Sequence, residues 1–294
     1  MRLAWLTDIH LNFLDDEAEI DRFLDNVRED GPDVVLLSGD IGEAYSVIGY
    51  LEHIQQHLQR PIYFVLGNHD YYRGSVRTVR AAVADFADEA QWLTWLPAAG
   101  VVELTLDVAL IGHGAWADGR CGDYDNSSIL LNDYLLIEEF AGLAPRARLD
   151  RLHALGDEAA AYFRQTLTQA VAHYKRVILV THIPPFETAC WHEGQISDDN
   201  FLPHFVCQAA GMALLDVMNA HPDSELLVLC GHTHGEGQVQ VADNIHVLTG
   251  GAEYGLPEVQ RVFDLVEPPS VSDIAEEEAA TAASDAPDVP SAAS

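Results

Sequence analysis

Apolar and polar positions in the first 70 residues switch between two spacings. Short apolar runs at 3–7, 33–38 and 61–66 read as strands. Between them, 15–30 and 45–59 carry apolar side chains at helical spacing; Ile20, Phe23, Leu24 and Val27 share one face of the first. This alternation of strand and helix implies βαβαβ units, a buried sheet covered by crossover helices.

The middle of the chain reads differently. Runs at 101–106 and 108–112 are close enough to form an antiparallel pair. Residues 113–148 are rich in Gly, Asn and Asp at first and then irregular, and read as a loop or cap. The pattern then predicts a long helix over 149–174, a buried strand over 176–181, a helix over 205–219 and a strand over 226–230. Short β segments are expected at 238–241, 245–249 and 262–266. From Glu267 the chain is a mixture of Pro, Ser, Ala and acids with few large apolar residues, the composition of a disordered tail. The expected organisation is one domain over 1–266, with 113–148 as an insertion, and an acidic tail over 267–294.

Composition narrows the class. At 294 residues, 48% hydrophobic and 21% charged, the chain can bury a sizeable core, and disorder throughout is excluded. No apolar run approaches the roughly 20 residues that a bilayer span needs. The N-terminus, MRLAWLTDIH, reads as lacking a secretory leader, because Asp8 interrupts its only apolar stretch. Cys121, Cys190, Cys207 and Cys230 are scattered with no CxxC pair, so neither a disulfide framework nor a zinc-finger spacing is present. A reduced, cytoplasmic setting is expected.

The charge balance is far from neutral, with 47 acids against 15 bases and a formal net of −32. The tail holds seven of those acids and no base, so the excess belongs mainly to the domain. Such a surface disfavours nucleic acid and anionic membranes, which rely on basic patches. Two readings of the excess stay open: adaptation to a salt-rich cytoplasm, where salt screens self-repulsion, or simply an acidic protein.

Five segments carry the chemistry: T-D8-I-H10, S-G-D40-I-G-E43, L-G-N68-H69-D70, V-T-H182-I-P-P and C-G-H232-T-H234-G. Each follows a predicted apolar strand, and ligands of α/β sheets sit beyond the carboxyl ends of strands. D-x-H alone is expected about once in a chain of this composition, but GHxH by chance has a probability of about 0.05 and GNHD of about 0.002. Imidazole, carboxylate and amide oxygen together suit Mn, Fe or Zn. Gly39, Gly67 and Gly231 each precede a candidate ligand, where a missing Cβ permits unusual dihedrals and close packing.

In this order the five segments resemble the pattern of the calcineurin-like metallophosphoesterases: D-x-H, GD-x-x-D, GNH-[D/E], a later His, and GHxH. The resemblance covers about 1–266 and implies a four-layer α/β/β/α sandwich with two divalent metal ions. It would put Asp8, His10 and His234 on one ion and Asn68, His182 and His232 on the other, with Asp40 bridging them. His69 would be left free to act on the substrate. Glu43 stands where the family often has Asp, whose carboxylate commonly supports the catalytic His. The loop also lacks the arginine of the GDxxDRG form, and the third motif ends in Asp70, not Glu. The last two departures point away from Ser/Thr protein phosphatases, toward phosphodiesterases and small-molecule phosphatases. The expected activity is hydrolysis of a small phosphoester, diesters slightly favoured. The alternatives are a phosphomonoesterase, a protein or nucleotide phosphatase, or a non-catalytic scaffold. Oligomeric state is not legible.

The remaining polar residues have blander readings. His53, His57, His153 and His173 lie in helical stretches as surface or satisfied side chains. His113, His192, Glu193 and Arg120 are candidates for the site's surroundings, and Tyr71, Tyr72 and Arg73 for either substrate contact or packing. Trp92 and Trp95 read as packing, and Cys230 as a small apolar residue. The pocket is expected to be shaped by 114–148 and 183–204.

Overall fold

A computed structural model describes residues 1–265. The predicted tail, and the last residue of the strand expected at 262–266, lie outside the described residues. The strands are β1 (Arg2–Leu6), β2 (Val34–Ser38), β3 (Ile62–Val65), β4 (Leu93–Trp95), β5 (Val102–Glu103), β6 (Val108–Gly112) and β7 (Arg176–Val180). Then follow β8 (Trp191–His192), β9 (Gln195–Ile196), β10 (Glu225–Cys230), β11 (Gly237–Ala242), β12 (Ile245–Thr249) and β13 (Arg261–Asp264). The helices are α1 (Glu17–Glu29), α2 (Val47–Leu58), α3 (Val76–Glu89), α4 (Leu96–Ala99), α5 (Asp133–Leu136), α6 (Pro145–Val171), α7 (Leu202–Phe205) and α8 (Gln208–Asn219).

Two sheets form the centre. One has the order β13-β1-β2-β3-β4 and the other β11-β12-β10-β7-β6-β5; β8 and β9 form a separate hairpin. β1 to β4 run parallel, as do β6, β7, β10 and β12, while β13, β11 and β5 close the edges antiparallel.

Side-chain alternation explains why the strands read as continuous apolar runs. In β2, Val34 and Leu36 point into a core between the two sheets, where they meet Leu110, Ile178, Val180 and Leu229. Val35 and Leu37 point the other way, into a core formed with Ile20, Leu24, Leu51 and Ile54 of α1 and α2. On the far side, Phe163 and Leu167 of α6 and Leu214 of α8 pack on Val177, Leu179 and Val228. The result is helix, sheet, sheet, helix: four layers with three cores, in which the central strands are buried on both faces.

Local signals set the helix ends. Asp16 caps α1 by accepting from Glu19 N–H at 2.9 Å, and Ser75 caps α3 by accepting from Thr78 N–H. α3, β4 and α4 occupy 71–100, a stretch in which the apolar pattern predicts no element. The predicted helix at 205–219 is split, because Val206 and Cys207 leave helical geometry between α7 and α8. α6 begins at Pro145, inside the stretch expected to be irregular. No described helix is long and apolar enough to cross a membrane.

Candidate metal centre

All five motifs sit in the loops that leave the carboxyl ends of β1, β2, β3, β7 and β10. Backbone hydrogen bonds lace these loops together. Asp8 N–H donates to Gly39 O, His10 N–H to Asp40 O, and Gly231 N–H to His182 O, at 3.1, 2.9 and 2.9 Å. Asp70, fully buried, clamps two loops: one carboxylate oxygen accepts from Ile41 and Gly42 N–H, the other from Gly67 N–H. Burial raises Asp70 to about 7, against the pull of those backbone donors.

The loops hold a strained backbone. Among the described residues, nine other than glycine have positive φ, and five of them are Asp8, His10, Asp40, His232 and His234. Each such residue costs about 1–3 kcal/mol and persists only where its surroundings demand it. Glycines make room beside them: a Cβ on Gly67 would strike the Asp40 carboxylate, and one on Gly231 the Asp8 carboxylate.

The side chains form two adjoining groups of donor atoms. In the first, ligand atoms of Asp8, His10, Asp40 and His234 all lie within 4.8 Å of one another. His10 Nε2 is 3.1 Å from His234 Nε2 and 3.8 Å from Asp40 Oδ2, and His234 Nε2 is 3.5 Å from Asp8 Oδ1. In the second, Asn68 Oδ1 lies 2.9 Å from His182 Nε2 and 3.0 Å from His232 Nδ1, and Asp40 Oδ1 is 3.4 Å from His182 Nε2. Asp40 thus turns one oxygen to each group.

The proton arrangement of the second group is decided by its outer contacts. His182 Nδ1 is 2.9 Å from Ser38 O and His232 Nε2 is 3.1 Å from His204 O. A carbonyl oxygen only accepts, so both of those nitrogens carry the N–H. Burial, together with neighbouring histidine charge, lowers both rings, His232 to about 3, so each is neutral and has no second N–H. The nitrogens facing Asn68 are therefore bare lone pairs. Asn68 cannot fill the gap, because its Nδ2 is turned outward to Asp133 Oδ1 at 2.9 Å and to Tyr72 Oη at 3.3 Å. Three acceptor atoms converge on one point with no proton between them, and a cation is what satisfies such a point.

The first group has the same character. Burial lowers His10 to about 2, with His69 and His234 adding to the effect, and its Nδ1 has no hydrogen-bond partner. Burial raises Asp40 well above the usual carboxylate range, and the neighbouring charges of Asp8 and Asp70 push it further. Burial also raises Asp8, but His182, His234 and His10 outweigh it and hold that carboxyl low. Thr7 Oγ1 and His232 N–H donate to Asp8, at 2.6 and 3.1 Å. Two buried carboxyl groups beside the imidazoles of His10 and His234 form a donor set of mixed nitrogen and oxygen, suited to Mn, Fe or Zn. The residues present fit two divalent ions.

A family model described as calcineurin-like phosphoesterase matches residues 1–236. The chain belongs to this family. It is accordingly a metal-dependent phosphoester hydrolase, and its cofactors are two divalent metal ions. No curated protein matches the chain significantly. Among solved structures, it is similar to a phosphopantetheinyl hydrolase from Mycobacterium tuberculosis, at 13% identity over 86% of this chain and 89% of that one, with a TM-score of 0.61. It is also similar to a dimetal phosphatase from Danio rerio, at 13% identity over 87% and 89% of the two chains, with a TM-score of 0.54. Likenesses this distant carry the fold alone.

The other expected neighbours divide. His69 lines a cavity of about 290 Å³ beside the centre, with Nε2 3.9 Å from Asp40 Oδ2, its ring stacked on Tyr72 and its backbone N–H donating to Asp40 Oδ1. Glu43 pairs with Arg73. His192 and Tyr72 line the cavity, as do Leu131, Asn132 and Asp133 from the stretch read as a loop or cap. His113 faces Glu158, and Arg120 is bound by Asp118 and Asp157; neither lines the cavity.

Two contributors went unread in the sequence. Asp133 is buried and receives both Asn68 Nδ2 and the Tyr72 hydroxyl, at 2.9 and 2.8 Å. Tyr254 lies over the centre, its ring 4.7 Å from His10 and 4.9 Å from His234. Neither belongs to a short motif, so no local signal marked them.

Proposed function

We propose that the protein hydrolyses a phosphodiester of small or medium size. Asp8, His10 and His234 would hold one ion, Asn68, His182 and His232 the other, and Asp40 both. The observation that carries the assignment is the set of bare lone pairs facing one another across Asn68, His182 and His232. Bound there, the ions supply an acidified water and neutralise the phosphoryl oxygens.

The chain's own groups do the rest. His69 is kept neutral, pushed down to about 3 by burial first and His182 second. Its Nε2 is 3.9 Å from Asp40, beyond hydrogen-bond reach, so that nitrogen is free to meet the leaving oxygen and donate a hydrogen bond to the charge that develops there. Stacking on Tyr72 at 4.2 Å fixes the ring's plane. Tyr72, Phe205 and Tyr254 form flat walls, which exclude water and suit an ester's organic group.

The diester preference is supported by charge. Among the described residues that line the cavity, none is Lys or Arg. A monoester dianion gains from a side-chain cation, whereas a diester carries a single charge that the ions alone can meet. The cavity size is at the lower end for small ligands.

The test is hydrolysis of a chromogenic phosphodiester beside a matched monoester, after chelator treatment and refilling with Mn²⁺. Metal-dependent turnover with the diester favoured supports the proposal; a preference for the monoester overturns that part. His69→Ala should lose most of the rate on a poor leaving group, by about 10²–10³-fold. Full turnover of that variant would remove His69 from the mechanism.

A further inference from the structure

Away from the centre, the outer helix layer carries a second set of nitrogen and oxygen donors. His53 and His57 stand four residues apart on α2, so both rings project on one face. The rings stack, with centroids 6.2 Å apart and planes 14° from parallel. Opposite them, α1 presents Glu17, Asp21 and Asp25, also four residues apart. Asp21 Oδ1 lies between the rings, 2.7 Å from His53 Nε2 and 3.4 Å from His57 Nδ1. The other nitrogen of each ring faces a different carboxylate: His57 Nε2 is 3.0 Å from Asp25 Oδ1, and His53 Nδ1 is 3.5 Å from Glu17 Oε1.

We infer that this is a further metal site, taking Zn²⁺ or a similar borderline divalent ion on His53 Nε2, His57 Nδ1 and Asp21 Oδ1. One ligand atom from each of the three residues falls within 4.8 Å of the others. A tetrahedral ion about 2.0–2.1 Å from its nitrogen and oxygen ligands keeps those atoms about 3.3 Å apart; His57 Nδ1 and Asp21 Oδ1 already stand 3.4 Å apart, and His53 Nε2 has only to draw back from its 2.7 Å contact to admit the ion. The outer contacts add an independent mark. A metal-bound imidazole donates its remaining N–H to a carboxylate; Asp25 holds that position on His57, and Glu17 stands nearby, 3.5 Å from His53. Two nitrogens and one oxygen favour zinc, nickel or copper over magnesium and calcium, which take oxygen. The Asp21 side chain is 47% exposed, which leaves room for water to complete the coordination.

The consequence is a cross-link between helices. α1 follows the loop that carries His10, and α2 follows the loop that carries Asp40. An ion bound to both helices ties together two elements whose loops build the centre. The site shares no residue with that centre and does not depend on the reaction proposed for it.

The experiment is equilibrium dialysis of the full chain against Zn²⁺, with bound metal counted by elemental analysis. The chain carrying His53→Gln and His57→Gln should bind about one ion fewer than the unaltered chain. The same difference should persist when Asp8→Asn and His232→Gln disable the centre, which separates this site from that one. Asp25→Asn, which leaves all three direct ligands in place, should weaken binding by about 10–100-fold. An ordinary pair of helix-to-helix ion pairs predicts none of these losses. Equal zinc uptake by the unaltered chain and a folded double variant, or no effect of Asp25→Asn, overturns the inference.

Discussion

Replacing Asp133 by Ala tests how the ligands proposed for the second ion are held. Asp133 touches no histidine of the centre; its carboxylate acts through Asn68. One oxygen receives Asn68 Nδ2 at 2.9 Å and the Tyr72 hydroxyl at 2.8 Å. With that oxygen gone, the Asn68 amide can turn, and Oδ1 is no longer fixed toward His182 and His232. Hydrogen bonds to a charged acceptor contribute about 1.5–3 kcal/mol each, so two are at stake. Removing the carboxylate also removes the burial that raises its pKa, which offsets part of that loss in overall stability. The effect should therefore fall on metal affinity more than on folding. Losing an outer partner weakens binding about 10–100-fold, or about 1.4–2.7 kcal/mol. Calorimetric titration of chelator-stripped protein with Mn²⁺ reads both ions. One binding phase should weaken by that factor, and the phase that depends on Asp8 and His10 should hold. Asp133→Asn keeps an acceptor oxygen and should restore most of the affinity. Equal weakening of both phases, or no change in either, would refute the reasoning.

Four further outcomes are expected. Gly231→Ala drives a Cβ into the Asp8 carboxylate and should lower both metal content and melting temperature; Gly49→Ala, in open space within α2, should instead stabilise by about 0.5–1 kcal/mol, and a thermal melt separates the two. Burial pushes the Cys190, Cys207 and Cys230 thiols up from 9.0 to about 12, so the folded protein should resist alkylation at pH 8 while the unfolded chain reacts. Above pH 9 the unfolded chain sheds those protons and the folded one keeps them, so stability should fall as pH rises from about 9 toward 12; denaturant titrations across that range that show constant stability from these thiols would contradict the burial.

How much of this was legible along the chain follows from distance in sequence. β1, α1, β2, α2 and β3 could be read because their spacing is local: Ile20, Phe23, Leu24 and Val27 mark one face of α1 without knowledge of what it meets. α3 was passed over although Val76, Val79 and Val83 are helically spaced, because Val and Thr weaken its local helical preference and tertiary packing supplies the difference. The pairing of β5 with β6 was readable because only a few residues separate them. The two-sheet arrangement was legible only through the family resemblance and not from local pattern, since β1 and β13 pair across almost the whole described chain.

The site divides in the same way. Residue types, their order and their positions after apolar strands were determined by the sequence, because each motif is a few residues long and its geometry is set by one strand end. The tertiary structure decided which nitrogen of His182 and His232 bears the proton, since Ser38 O and His204 O come from β2 and α7, distant in the chain from the two histidines. It decided that Glu43 takes Arg73, that Asp133 steadies Asn68, and that Tyr254 lies over the centre. It also turned His53 and His57 from two surface residues into the far side of a carboxylate cluster 32 residues away. Local pattern says which face of an element is polar; only packing says what that face meets, because short-range contacts are written within one turn or one strand and long-range ones depend on how every intervening element is laid down.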